Sequence, residues 1–99
     1  MNLTPNHPPR LRFKLGRILA TPAALSVMTN ANVSIIHLLI RHACGDWGDL
    51  SESDREQNEL AVEAGSRILS SYVPPGGQTV WLITEWDRTV TTLLLPGDY

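Results

Sequence analysis

The stretch SESDREQNELAVEAGSRILSSY, residues 51–72, decides the fold. At helical spacing Leu60, Ala61, Ala64, Gly65, Ile68, Leu69 and Tyr72 fall on one stripe, which predicts a single amphipathic helix across the whole stretch. Ser53 followed by Glu56 has capping-box spacing. The acids of the first turns suit the positive end of a helix dipole, and Glu63 with Arg67 stands in the favourable i,i+4 order. Small residues in the stripe would let this helix lie close against a sheet. Pro74-Pro75-Gly76-Gly77 then stops it and turns the chain.

Downstream, residues 79–84 and 89–95 read as strands, and Glu85-Trp86-Asp87-Arg88 has the length of a hairpin connection. Upstream, residues 33–44 give a helix with a broad apolar face (Ile35, Ile36, Leu38, Leu39, Ala43), closed by Gly45. Residues 45–50, rich in Gly and Asp, form a loop, with Trp47 pinning it to the core and Asp49 or Ser51 capping the next helix. Thr21-Pro22 reads as an N-cap followed by proline at the first helical position, opening a short helix over residues 22–29. Leu11, Phe13 and Leu15 alternate with Arg12, Lys14 and Gly16, so residues 11–20 read as a half-buried strand with a basic face. Residues 1–10, rich in proline, read as a flexible tail, and residues 11–99 as a single α+β domain. The order β-α-α-α-β-β implies a small three-stranded, mainly antiparallel sheet with helices packed on one face. Its exposed edge invites a homodimer.

Composition narrows the function. With 99 residues, 42% of them hydrophobic, and one cysteine, the sequence excludes a disulfide framework, a collagen or a wholly disordered chain. The longest apolar run, residues 33–40, is too short to span a membrane. Residues 10–28 fail as a signal sequence because Thr21, Pro22 and Ser26 interrupt the apolar part. The expected location is cytoplasmic, with Cys44 reduced. The net charge of −2 conceals a split: residues 1–40 hold Arg10, Arg12, Lys14 and Arg17 and no acid, whereas all ten acids follow.

Few residues combine into chemistry. His37, His42 and Cys44 match no zinc spacing, and on a helix the two histidines lie about 140° apart. Asp46 and Asp49 flank Trp47 and Gly48 without a calcium-loop pattern. No phosphate loop, dinucleotide fingerprint, Gly-x-Ser-x-Gly or His-Glu-x-x-His is present. The expectation is therefore a protein with no catalytic residues, no cofactor and no metal. A metal-dependent hydrolase built on His42, Asp46, Asp49 and Glu85 stands as a distant alternative. A nearer one is a nucleic-acid-binding regulator using Arg10, Arg12, Lys14 and Arg17 against phosphates. The acids Asp46, Asp49, Glu52, Asp54, Glu56 and Glu59 suit a surface for a partner with a basic groove. Trp47 and Trp86 are candidate aromatic anchors for such an interface.

Residues 41–50 (RHACGDWGDL), Asn58-Glu59, residues 65–72, residues 83–88 (ITEWDR) and residues 91–99 together resemble one family. Its members are small proteins of plasmids and integrated mobile elements in proteobacteria. They are described as plasmid-related proteins or as a modification subunit of a type I restriction enzyme. Residues 13–22 resemble their usual start, and Trp86 and Thr89 depart from the pattern. The resemblance implies a possible polar site of Asn58, Glu85, Asp87 and Arg88 beside the Asp46 loop. It also implies a mobile-element setting, in which small proteins inhibit host defence, as anti-CRISPR and anti-restriction proteins do. A nuclease or CRISPR effector subunit would supply the basic groove.

Overall fold

The computed structural model describes residues 10–99; the expected tail lies outside these residues except for Arg10, which carries no regular structure. Among them the order is β1 (Arg17–Ala20), α1 (Pro22–Ala31), α2 (Ile35–Ala43), α3 (Glu52–Ala64), β2 (Ile68–Tyr72), β3 (Val80–Thr84) and β4 (Val90–Leu94), ending in a 3-10 turn, Pro96–Asp98. The fold is α+β, but the sheet has four strands in the order β1-β4-β3-β2. Pairs β2–β3 and β3–β4 are antiparallel, and β1–β4 is parallel.

The extra strand comes from the second half of residues 51–72. Gly65 takes the left-handed conformation at φ +74° and closes α3, its N–H donating to the Ala61 carbonyl. This is the usual use of glycine just past a helix end. From Ile68 the stripe residues follow a period of two, with Ile68, Ser70 and Tyr72 facing the core. The expected Glu63–Arg67 helical pair is lost, since Arg67 stands beyond the helix. The cap is Ser51, whose Oγ accepts from Asp54 N at 3.1 Å, rather than a Ser53–Glu56 box.

The first strand is shorter than its alternation suggests. Arg12 N donates to Ala43 O at the end of α2, so residues 11–15 run under the helices and not along the sheet. Phe13 and Leu15 alternate inward there, Phe13 against Trp47 and His42, Leu15 against the main core. Gly16 turns the chain up to β4 at φ +67°, where a Cβ would lie 2.2 Å from Thr89 O.

Thr21 caps α1 as expected, accepting from Ala24 N, with Pro22 next. Asn32 closes α1 at φ 57°, and α2 leaves at about 105° to it. All three helices cover one face of the sheet. Ala24, Met28, Leu38 and Leu39 pack on Tyr72, Val80, Leu82 and Leu93, while Ala61 and Trp47 pack on Ile68. The opposite face carries Leu19, Leu69, Trp81, Ile83, Thr92 and Leu94 in register. It is covered only in part, by Tyr99 set edge-on to Trp81. Among the described residues no single helix is long and apolar enough to cross a membrane.

Candidate functional site

The Gly45–Leu50 loop is a structural clasp. Asp46 accepts from Arg41 Nε at 2.7 Å and from Gly48 N at 3.2 Å. Tyr72 Oη donates to the Asp46 carbonyl at 2.6 Å. Arg41 lies over the Tyr72 ring, 4.6 Å from its centre, and holds the Asp46 carboxyl below its usual pKa. Burial pushes the Tyr72 hydroxyl up to about 12. Gly48 sits at φ +76° against β2, where a Cβ would be 2.0 Å from Ser71 O. Trp47 is a core residue at 2% exposure, and its indole N–H donates to Glu59 at 3.0 Å. The same carboxylate takes Arg12 in a two-pronged pair at 2.8 and 2.9 Å. Trp47 is therefore no surface anchor, and Asp46 and Glu59 are paired acids. Arg55, the one cation in the acidic stretch, donates to the Gly48 and Leu50 carbonyls.

His42 is fully buried, between the Phe13 and Trp47 rings. Its Nδ1 lies 2.5 Å from Ser70 Oγ and its Nε2 2.8 Å from Thr84 Oγ1. Thr84 Oγ1 meets Thr91 Oγ1 at 2.7 Å, and Thr91 donates to the Leu15 carbonyl at 2.7 Å. That carbonyl can only accept, which fixes the donors of the chain as far as Nε2. Thr91 uses its proton on Leu15, Thr84 donates to Thr91, and Nε2–H donates to Thr84. Burial, helped by the charge of Arg88, lowers the His42 pKa to about 3, so the ring is neutral and its Nδ1 accepts from Ser70. A serine hydroxyl on a histidine resembles an activated nucleophile. Here both residues are sealed at 0% exposure, and the group that orients the ring is a threonine. The arrangement satisfies buried polar groups.

The polar set Asn58, Glu85, Asp87 and Arg88 does not form a site. Asn58 gives its amide N–H to Leu69 O at 2.6 Å and accepts from Leu69 N at 3.2 Å. Arg88, at φ 61°, donates to the carbonyls of Ala61, Ser66 and Glu85. It thereby ties the β3–β4 turn to the C-terminal end of α3. Asp87 caps Thr89 through its N–H and hydroxyl. Glu85 brings its backbone: its N–H donates to Val90 O, closing the turn. The hydrolase set does not assemble either. Both ring nitrogens of His42 are taken, and among the described residues no three His, Cys, Asp or Glu side chains converge on a possible ion.

What stays open is the acidic face. Among the described residues Asp49, Glu52, Asp54, Glu56 and Glu63 are exposed and form no ion pair. At about 100° per residue, Glu52, Glu56, Glu59 and Glu63 fall within about 60° of arc, opposite the buried Asn58 and Ala61. They make one stripe roughly 16 Å long. Asp54 lies off this stripe, on the first turn. The sequence reading paired Glu63 with Arg67 and left it out of the partner surface, although its 4-3-4 spacing to the others was legible there. The stripe runs toward the end of α3 where the turn bearing Trp86 is tied, and Trp86 is 66% exposed. The basic set is interrupted: Arg10, Lys14 and Arg17 are exposed, but Arg12 is held by Glu59. A groove of about 200 Å³ lies beside His37, Arg41, Tyr72 and Pro74, and an open depression of about 410 Å³ lies beside Arg41, Asp46, Asp49 and Tyr72. No protein-family model, curated protein or solved structure matches the chain.

Proposed function

We propose that this is a non-enzymatic binding protein of the cytoplasm that engages a basic groove on another protein through the glutamate stripe of α3. The observation that carries the reading is the alignment of Glu52, Glu56 and Glu63 on one exposed face of α3: none of the three forms an ion pair among the described residues, Glu59 between them is paired with Arg12, and Arg55 is turned to the loop. Carboxylates set about 6 and about 10 Å apart along the helix offer a cationic groove repeated negative charge of the kind that nucleic acid offers it. Trp86 supplies an exposed aromatic at one end, the residue type that anchors interfaces. The resemblance to mobile-element proteins favours a host defence protein, a nuclease or CRISPR effector subunit, as the partner, with inhibition as the outcome. The basic segment of Arg10, Lys14 and Arg17 is the alternative contact, to nucleic acid.

The test is affinity capture of the tagged protein from host lysate, with and without nuclease treatment, at low and high salt. The expected result is a protein partner that survives nuclease, leaves at high salt, and is lost by the triple variant Glu52→Gln/Glu56→Gln/Glu63→Gln. That variant spares Glu59, which the fold uses. Unchanged capture by the triple variant would overturn the acidic-face reading. Recovery of nucleic acid alone, abolished by Lys14→Ala/Arg17→Ala, would replace it with the regulator.

A further inference from the structure

Among the described residues the outer side of β1 has no partner strand. Arg17 N and Thr21 N point inward, to Thr89 O at 2.8 Å and Leu93 O at 2.9 Å. Strand alternation then turns the N–H and C=O of Ile18 and Ala20 outward. Ile18 and Leu19, on opposite faces of the strand, are 43% and 44% exposed. Arg17, at the first residue of β1, is the one charge on this edge, and no proline or bulge interrupts the segment Ile18–Ala20.

We propose that a second copy of this chain pairs antiparallel with β1, on a two-fold axis at Leu19, to give a continuous eight-stranded sheet. The register follows from the backbone. Only the two-fold centred on Leu19 sets the outward-facing Ile18 of one copy opposite the outward-facing Ala20 of the other, twice. That arrangement satisfies all four N–H and four C=O groups. Leu19 then meets its own counterpart and continues the row Leu69, Ile83, Thr92, Leu19 across the axis. Arg17 falls opposite Thr21 of the second copy. The Thr21 hydroxyl donates to Asp98 at 2.7 Å, so each Arg17 guanidinium gains a carboxylate across the interface and the two arginines stay apart. The charges thus fit the register that the backbone selects.

The contact is small beside the roughly 1,600 Å² of a standard interface, so a dissociation constant on the order of 10–100 µM is expected. Sedimentation equilibrium of the full chain up to about 1 mM tests it, with circular dichroism confirming that each variant folds. Arg17→Asp or Asp98→Arg alone should weaken the dimer about tenfold or more, and the double charge swap should restore it to within about threefold. In a Cys44→Ser background, Leu19→Cys should oxidise to a covalent dimer, because non-hydrogen-bonded pairs bring side chains closest. Leu60→Cys, on the exposed side of α3, is the control. A monomer at the highest concentration would overturn the proposal. So would a dimer indifferent to the charge swap, or one in which Leu19→Cys cross-links no faster than Leu60→Cys.

Discussion

Strands β2 and β1 border the same sheet, and their outer backbone groups meet different fates. On β2 the outward residues are Leu69 and Ser71. The Asn58 amide takes both backbone groups of Leu69. Ser71 N donates to Trp47 O and Asp49 N donates to Ser71 O, at 3.0 and 2.6 Å. On β1 the corresponding groups of Ile18 and Ala20 find nothing among the described residues. The first edge is closed by the Asn58 side chain of α3 and by the backbone of the Gly45–Leu50 loop, and behind it His42 bonds Ser70. The contrast teaches that polar residues suggestive of chemistry are occupied in structure: Asn58 closes the edge, and Asp46 and Glu59 brace the loop that docks on it. The residues free to meet a partner are plainer ones: glutamates on a helix, and Ile18 and Leu19 on a strand.

The largest effect should come from forcing the closed edge apart. Gly48→Ala puts a methyl group into Ser71 O at an unfavourable positive φ, with an expected loss of about 3 kcal/mol or more in urea unfolding. A loss below about 1 kcal/mol would mean that the loop docks loosely on β2.

Acid should weaken the same region next. Below the ordinary histidine pKa of 6.5 the unfolded chain takes up a proton that folded His42 refuses until about 3. Stability is then complete above pH 6.5 and falls as the pH drops toward 3, by about 3 kcal/mol near pH 4.5. Unfolding curves across this window should show the slope in the native protein and lack it in His42→Gln. The carboxyls of Asp46 and Glu59, held low chiefly by Arg41 and Arg12, add their own loss only at more acid pH.

A matched pair of edge substitutions gives the smallest and most direct comparison. Asn58→Ala orphans the Leu69 backbone groups and should lower stability by about 2 kcal/mol. Leu19→Lys, on the bare edge, should change monomer stability by no more than about 0.5 kcal/mol. Equal losses in thermal unfolding would mean that β1 is closed after all.

Much of the fold was legible in the chain. Thr21-Pro22 opened α1 as read, and the hairpin of β3 and β4 appeared with its Glu85–Arg88 connection. Residues 51–72 were misread because Ile68, Leu69 and Tyr72 fit a helical stripe that begins at Leu60. The competing signal was Gly65, and a stop there would have released a fourth strand. Residues 11–15 misled for another reason: an extended segment packed under helices shows the same alternation as a strand. The acidic face was visible as composition, and the phase of Glu63 with Glu52 was available by counting.

By itself the sequence determined the α+β class, the start of α1 at Thr21-Pro22, and the crowding of negative charge on α3. These are local matters, set by dihedral preferences, capping oxygens and residue spacing. Only the tertiary structure decided which polar groups are committed. Arg12 meets Glu59 across 47 positions of sequence, and His42 meets Thr84 across 42. Such pairings depend on how helices and sheet pack, and no local preference encodes them. For the same reason it took the folded sheet to reveal that one edge is closed and the other bare.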